Sequence, residues 1–421
     1  MTYEFEYMMH LFSCGALGNP PLPPRQEVDF GQVLELAQEH SVLPLVGAAI
    51  SKSPDLGLPG DMVTSLVQIT RGSALTNYMR RRQVLKLLEA FDAAGIQAIL
   101  LKGYAISDLY AEPDFRISCD TDIYVKMEDE TKALMLLSDH GCSITPRSPI
   151  SHHALCEHPQ MGHIELHVLL HDEIVEDVWF SKMKDQDLVQ ETYEKWSTPE
   201  GSYLALGRTD HLIFLTLHMI KHFILSGISL RQMTDIGLYI KNYRSQIDQA
   251  RFWAILETLK YRQLMNTVFS ILVSYCGFTP DMLMGYQSAD AAPVAALLED
   301  LETGGWLGQN EEEERKDAWH SYNRAKFTEK QNTFSYWGYM AKRKAAVYLP
   351  VIFPPRAVLT KKYPFAGKTA LLVPVAWIRY LFSRLLKKAA GSQDAPPHET
   401  SGQNPADKDD RVQLFKLMRM M

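Results

Sequence analysis

The chain has 421 residues, 46% hydrophobic and 22% charged, with a formal net charge of −7. That length exceeds one ordinary domain, so two or three are expected, and the composition is that of a globular chain rather than a disordered or fibrous one. The acidic balance argues against broad nonspecific nucleic-acid binding. Scattered cysteines without a Cys-x-x-Cys pair argue against a disulfide framework or a structural zinc site.

The N-terminal Met-Thr-Tyr-Glu-Phe-Glu-Tyr lacks the basic start and apolar stretch of a signal peptide, so a reducing cytoplasm is expected. Residues 20–26 are proline-rich and read as a loop. Val28 to His40 has helical spacing, and Pro44 ends or restarts it. A long helix is predicted from Met62 to Ala94, closed by Gly95. Its Arg80-Arg81-Arg82 run reads as a solvated face, with a nucleotide contact as the alternative.

From Ile96 the period shortens. The pattern predicts strand 96–102, helix 104–110, strand 120–126, helix 128–140 and strands near 142–146, 152–157 and 163–170. Helical spacing returns at Thr209, where Asp210 can cap the run that follows. Further helices are predicted at 230–243, 249–276, 290–302 and 311–345. Ala390 to Asp410 reads as a disordered linker, and Arg411 to Met421 as a short basic amphipathic turn.

No apolar run reaches the roughly 20 residues that span a bilayer. Leu371 to Leu386 comes nearest but contains Pro374, Arg379 and Arg384. It reads as a helix packed on the protein's own core, with peripheral contact of 371–388 to an anionic membrane surface as the alternative. The fold class expected is α+β: a small mixed-sheet core (95–205) between an N-terminal helical region (1–94) and a C-terminal helical domain (206–345). A Pro-rich and amphipathic segment (346–389) and a disordered tail (390–421) follow.

The most chemically informative residues are Asp120-Thr121-Asp122 at the start of a predicted strand. Strand side chains alternate, so both carboxylates project to one side. Two anionic oxygen donors suit Mg²⁺, which fills its remaining positions with water or phosphate oxygens. Glu165 is the candidate third carboxylate, with Glu157 and Asp172 as rivals. Lys102-Gly103 falls at a strand-to-helix turn, where glycine permits close approach of a phosphate and lysine supplies a point charge. Arg116, four residues before Asp120, is a candidate for bidentate phosphate contact.

Histidines form a competing signal. His152, His153, His158, His163, His167 and His171 crowd one window. On a strand His163, His167 and His171 share a face beside Glu165, which opens the possibility of a Zn²⁺ or Mn²⁺ site. His218 and His222 are spaced one helical turn apart, and polar contacts within a buried helix account for that pair.

Leu100-Leu101-Lys102-Gly103, Arg116-x-x-x-Asp120-x-Asp122, Ile164-Glu165-Leu166-His167 and His218-x-x-x-His222 with Leu230-Arg231 and Asp235-Ile236 together resemble a known family. It is the bacterial uncharacterised nucleotidyltransferase family of the polymerase-β-like superfamily. The resemblance runs over nearly residues 28–385. It implies a nucleotidyltransferase core with helical additions, dependence on Mg²⁺ (or Mn²⁺) and an NTP donor. Asp120, Asp122 and Glu165 carry over as the acidic, metal-holding positions. Lys102 and Gly103 stand where the superfamily has its phosphate loop, and Arg116 joins them at the triphosphate. His167, His218, His222, Arg231 and Asp235 are assigned to an acceptor pocket. The family's helical-part positions, Asp210 among them, tie helices together in the other reading. The expected activity is Mg²⁺-dependent transfer of a nucleotidyl group to an acceptor hydroxyl of a small molecule, sugar or protein rather than long RNA. The alternatives are a non-catalytic nucleotide-binding or scaffold protein of the same fold, or a His-rich metal-dependent hydrolase.

Overall fold

The computed structural model describes residues 1–118, 120–145, 153–170, 188–225, 227–304, 359, 363, 365, 369, 372–380 and 413–420. The chain divides into two compact units: Met1–Tyr322 with Asp410–Met421, and Asn323–Asp409. The predicted helix at 311–345 and the linker at 390–410 lie outside the described residues.

The first unit opens with four helices: α1 (Tyr3–Leu17), α2 (Phe30–Glu39), α3 (Leu43–Ser51) and α4 (Gly60–Ala93). The sequence reading missed α1, although Thr2 caps it and Gly18 ends it at φ +80°. The helix is buried on nearly every side, from Phe5 through Ala16, so it shows no apolar stripe of helical period. Pro44 sits in the first turn of α3, where its missing amide costs nothing, so the pattern restarts there.

Among the described residues the sheet has seven strands: β1 (Ile99–Leu100), β2 (Asp120–Tyr124), β3 (Ser143–Thr145), β4 (His153–His158), β5 (Gly162–His167), β6 (Tyr193–Thr198) and β7 (Gly201–Leu206). Their spatial order is β3-β4-β5-β2-β1-β7-β6. The sheet is mixed, since β2/β5 and β1/β7 pair in parallel and the other neighbours antiparallel. Alternation sends Ile123, Ile164, Leu166, Ala154 and Cys156 into the core and leaves the polar residues of β2, β4 and β5 on the other face. α5 (Tyr104–Ser107) and α6 (Glu130–Asp139) connect the strands. The predicted strand 96–102 shortens to two residues and the predicted helix 104–110 to one turn. The hairpin β6–β7 was not predicted; Trp196 is the one buried residue of β6, so the strand shows little apolar alternation.

Helices α7 (Arg208–Leu225), α8 (Leu230–Tyr243), α9 (Gln249–Thr258), α10 (Arg262–Tyr275) and α11 (Ala291–Gly304) complete the unit. The run predicted as one helix over 249–276 breaks at Lys260, which adopts φ +64°. Residues 413–417 are helical, and Phe415, Met418 and Met420 are fully buried. Phe415 meets Phe223 edge to face, with ring centroids 5.6 Å apart. This docked end differs from the disordered tail expected for 390–421, because its apolar side chains have a partner on α7. In the second unit, Ala376 and Leu359 pack together with Tyr363, Phe365 and Trp377, while Val375 and Ile378 are exposed. The basic residues 384–388 of the membrane alternative lie outside the described residues. No described helix is long and apolar enough to cross a membrane.

Candidate active site

Asp120 and Asp122 leave the same face of β2. Strand β5 runs parallel beside it with Asp122 opposite Glu165, which brings the third carboxylate level with the pair. One oxygen from each of Asp120, Asp122 and Glu165 lies within 4.8 Å of the others. Of the rivals, Glu157 is exposed and pairs with His163 at 3.6 Å, and Asp172 lies outside the described residues. Thr121 turns to the opposite face and is buried.

The loop that delivers β2 is pinned through its carbonyl groups. Asn77 on α4 donates to the carbonyls of Asp114 and Arg116 at 3.0 and 2.9 Å. Arg80 donates to the Ser118 carbonyl at 2.7 Å, and Arg231 on α8 to that of Ile117. Arg81 is buried and bridges Asp108, Asp114 and Glu200. The Arg80-Arg81-Arg82 run is therefore not a solvated face at its first two positions, which are engaged within the protein; Arg82 is exposed.

Two basic side chains sit among the carboxylates. Lys102 Nζ lies 3.0 Å from Asp120 Oδ2, 3.2 Å from Asp122 Oδ1 and 3.2 Å from His218 Nε2. His167 Nε2 lies 3.0 Å from Asp122 Oδ1 and 3.2 Å from Glu165 Oε2. Burial favours the neutral forms of both, but the carboxylates outweigh it and raise both pKa values. Burial opposes ionisation of Asp120 and Glu165 as well. Lys102 nevertheless lowers Asp120, and the His167 hydrogen bond with the Lys102 charge holds Glu165 well below the usual range. Asp122 is completely buried, and burial pushes it up to about 6 despite Lys102.

Asp122 Oδ2 is buried and accepts no hydrogen bond among the described residues. A buried, charged oxygen without a donor is costly unless a cation meets it. An all-oxygen set of three carboxylates with such an atom fits a hard divalent ion such as Mg²⁺.

The remaining expected residues divide. His218 and His222 on α7 touch each other, Nε2 to Nε2 at 3.0 Å. Burial and the Lys102 charge hold both neutral, with His222 lowered to about 3. His218 thus backs Lys102. Arg116, expected at the triphosphate, is buried and bidentate to Asp235, Nε to Oδ1 at 2.8 Å and Nη2 to Oδ2 at 2.6 Å. Tyr110 donates to the same carboxylate at 2.7 Å. Arg116 and Asp235 thus pair with each other and tie α8 to the loop before β2. Asp210 likewise serves structure, accepting from Arg251 at 2.7 Å and from the Thr192 hydroxyl at 2.6 Å. Gly103 has φ +70° and ψ −108°, and its carbonyl accepts from Arg116 Nη1 at 3.2 Å. The helix after it is a single turn, so the helix-terminal amides expected to cradle phosphate are few.

The histidine crowd also resolves. His158 Nδ1 accepts from the Gln160 and Met161 amides at 3.1 Å each and shapes the β4–β5 hairpin. His163 is exposed, and His171 lies outside the described residues. His153, a member of that crowd, is the direct ladder partner of His167.

A mixed sheet carrying three carboxylates on one face, flanked by helices on both sides in sequence, has the layout of an α+β transferase. Within that class the chain belongs to the family described as uncharacterised nucleotidyltransferase, which matches residues 26–276. Two solved structures show remote likeness. One is an antigenic nucleotidyltransferase-like protein from Paracoccidioides brasiliensis: 15% identity, TM-score 0.28, 50% of this chain and 94% of that one covered. The other is a tRNA nucleotidyltransferase complexed with a primer tRNA and an incoming ATP analog: 12% identity, TM-score 0.19, 72% and 99% covered. Comparison with curated proteins finds no match.

Proposed function

We propose that the protein transfers a nucleotidyl group from an NTP to an acceptor hydroxyl, using Mg²⁺ or Mn²⁺ held by Asp120, Asp122 and Glu165. The observation that carries this reading is the convergence of those three carboxylates, within 4.8 Å of one another, around an Asp122 oxygen with no donor among the described residues. Like charges so close repel, a cost that a purely structural sheet avoids. A divalent ion there supplies charge neutralisation for the phosphate oxygens. Lys102 is the residue able to neutralise either the carboxylate pair or a triphosphate, because its charge rides on a flexible stem. His218 limits how far that stem swings, and His167 keeps Glu165 ionised and oriented.

The acceptor is a small molecule, a sugar or a protein rather than long RNA, since a net charge of −7 opposes a polyanion. A cytoplasmic setting suits the free thiols of Cys14, Cys142, Cys156 and Cys276. The test is incubation with each labelled NTP, Mg²⁺ or Mn²⁺ and a cell extract, reading pyrophosphate and labelled acceptor. Release by the wild type, abolished in Asp120→Asn/Asp122→Asn, is the expected result. Equal release by the double variant sinks the reading.

A further inference from the structure

The carboxylate face continues sideways into a second set of donors. His153 on β4 and His167 on β5 are direct partners in the antiparallel ladder. Their rings therefore rise on one face, with centroids 5.2 Å apart. Glu165 stands between them: Oε1 is 3.9 Å from His153 Nε2, and Oε2 is 3.2 Å from His167 Nε2. One donor atom from each of the three residues lies within 4.8 Å of the others. Ligands held at about 2.1 Å around a tetrahedral ion are ~3.4 Å apart, so small side-chain adjustments close this set on a cation. Asp122 Oδ1, 3.0 Å from His167 Nε2, lies in reach as a fourth donor.

The chemistry of this set differs from that of the oxygen set. Three carboxylates favour Mg²⁺, whereas two imidazoles with a carboxylate favour a borderline first-row ion. All three residues stand on paired strands, which hold ligands more rigidly than loops do. His153 keeps 20% of its side chain exposed and Glu165 24%, so an ion can reach them from solvent.

We propose that His153, Glu165 and His167 form a second cation site, of Zn²⁺ class, that adjoins the Asp120/Asp122 site and shares Glu165 with it. Sharing a ligand couples the two sites: an ion on the imidazole set draws Glu165 away from the oxygen set. The proposal concerns ion binding by the protein alone and stands apart from the transfer reaction.

The full chain, stripped of metal, is titrated with Co²⁺ alone and then with Zn²⁺ in competition. The expected result is one equivalent of Co²⁺ with the visible absorption of a nitrogen-ligated, low-coordinate ion, displaced by Zn²⁺. His153→Asn should weaken Zn²⁺ binding by about a hundredfold or more, beyond what loss of an outer-shell partner costs. Asp120→Asn should weaken Mn²⁺ binding and leave the Co²⁺ spectrum in place. Wild-type Zn²⁺ affinity in His153→Asn overturns the proposal, as does loss of the Co²⁺ spectrum in a folded Asp120→Asn protein. Should His153→Asn fail to fold, carbethoxylation of the wild-type protein decides. Stoichiometric Zn²⁺, but not equal Mg²⁺, should protect His153; modification at an unchanged rate overturns the proposal. No nucleotide enters either experiment, so failure here is distinct from failure of the transferase reading.

Discussion

Two buried ion clusters lie along the path into β2, and they are built on opposite plans. Around Asp235 the charges balance, and the carboxylate accepts from Arg116 through both oxygens and from Tyr110 as well. Burial, together with Asp235, keeps the Tyr110 phenol neutral and donating. Around Asp122 three carboxylates converge on Lys102 and His167, and one buried oxygen accepts no hydrogen bond among the described residues. A satisfied cluster fixes geometry and has nothing left to bind. An unsatisfied one retains electrostatic demand that an ion or ligand can meet. Burial and charge are common to both, so the state of hydrogen-bond satisfaction separates frame from site.

The largest effect expected from this contrast is on catalysis. Asp122→Asn should reduce nucleotide-dependent pyrophosphate release by at least about a thousandfold, as loss of one member of a catalytic unit does. Its melting temperature should hold or rise, because a desolvated like charge is gone. Activity within tenfold of wild type breaks the comparison. Next is Asp235→Ala, which leaves the Arg116 guanidinium buried and unpaired. Denaturant unfolding should show a loss of about 3–5 kcal/mol. Retained stability with a raised KM for NTP would return Arg116 to the triphosphate and erase the distinction between the clusters.

The contrast also explains what could be read from sequence. The α+β class and the Asp120–Asp122 pair were legible because strand alternation is a local rule: Asp120 and Asp122 share a face whatever the rest of the chain does. Choosing Glu165 over Glu157 needs the register of β5 on β2, which no local pattern carries. The pairing of Arg116 was hidden for a related reason. Its four-residue spacing from Asp120 is visible, while its partner Asp235 lies 119 positions away. Lys102 was legible as a cation near the site, but not as the counter-ion lodged between the two aspartates. Helix α1 was hidden by burial on nearly every side, and the break at Lys260 by apolar spacing that continues across it.

Gly103 tests the join between frame and site, since its carbonyl contacts Arg116 and its neighbour is Lys102. A Cβ at this position would lie 2.9 Å from Ser118 Oγ and 3.2 Å from the Asp120 carbonyl oxygen, at a φ of +70°. Gly103→Ala should therefore destabilise by about 1–3 kcal/mol through backbone strain and crowding. Ser118→Ala in the same chain should recover part of that by removing the nearer atom. Thermal melts of the single and double variants check it. No recovery would assign the whole cost to φ.

The smallest effect concerns α7, which serves both regions. His218 on it touches Lys102, while His211, two turns earlier, stacks on Trp196 and Tyr239 with centroids 4.8 and 5.4 Å away. Burial, with the Arg208 charge, lowers His211 from the usual 6.5 to about 3. Between those values the unfolded chain binds a proton that the native protein refuses. Native stability is therefore lost as pH falls below about 6.5, at up to about 1.4 kcal/mol per pH unit for this one group. His211→Phe keeps a ring in the stack and removes the titration. Between pH 7 and pH 5 the variant's unfolding free energy should fall less steeply than the wild type's, by that amount. The slope that remains sums His10, His40, His218 and His222, all lowered by burial first of all, against His167 and Asp122, whose raised values act in the opposite sense. Equal slopes would mean that His211 is protonated in the native stack, and the aromatic cluster would then be a charged region like the site rather than a closed one like the Asp235 frame.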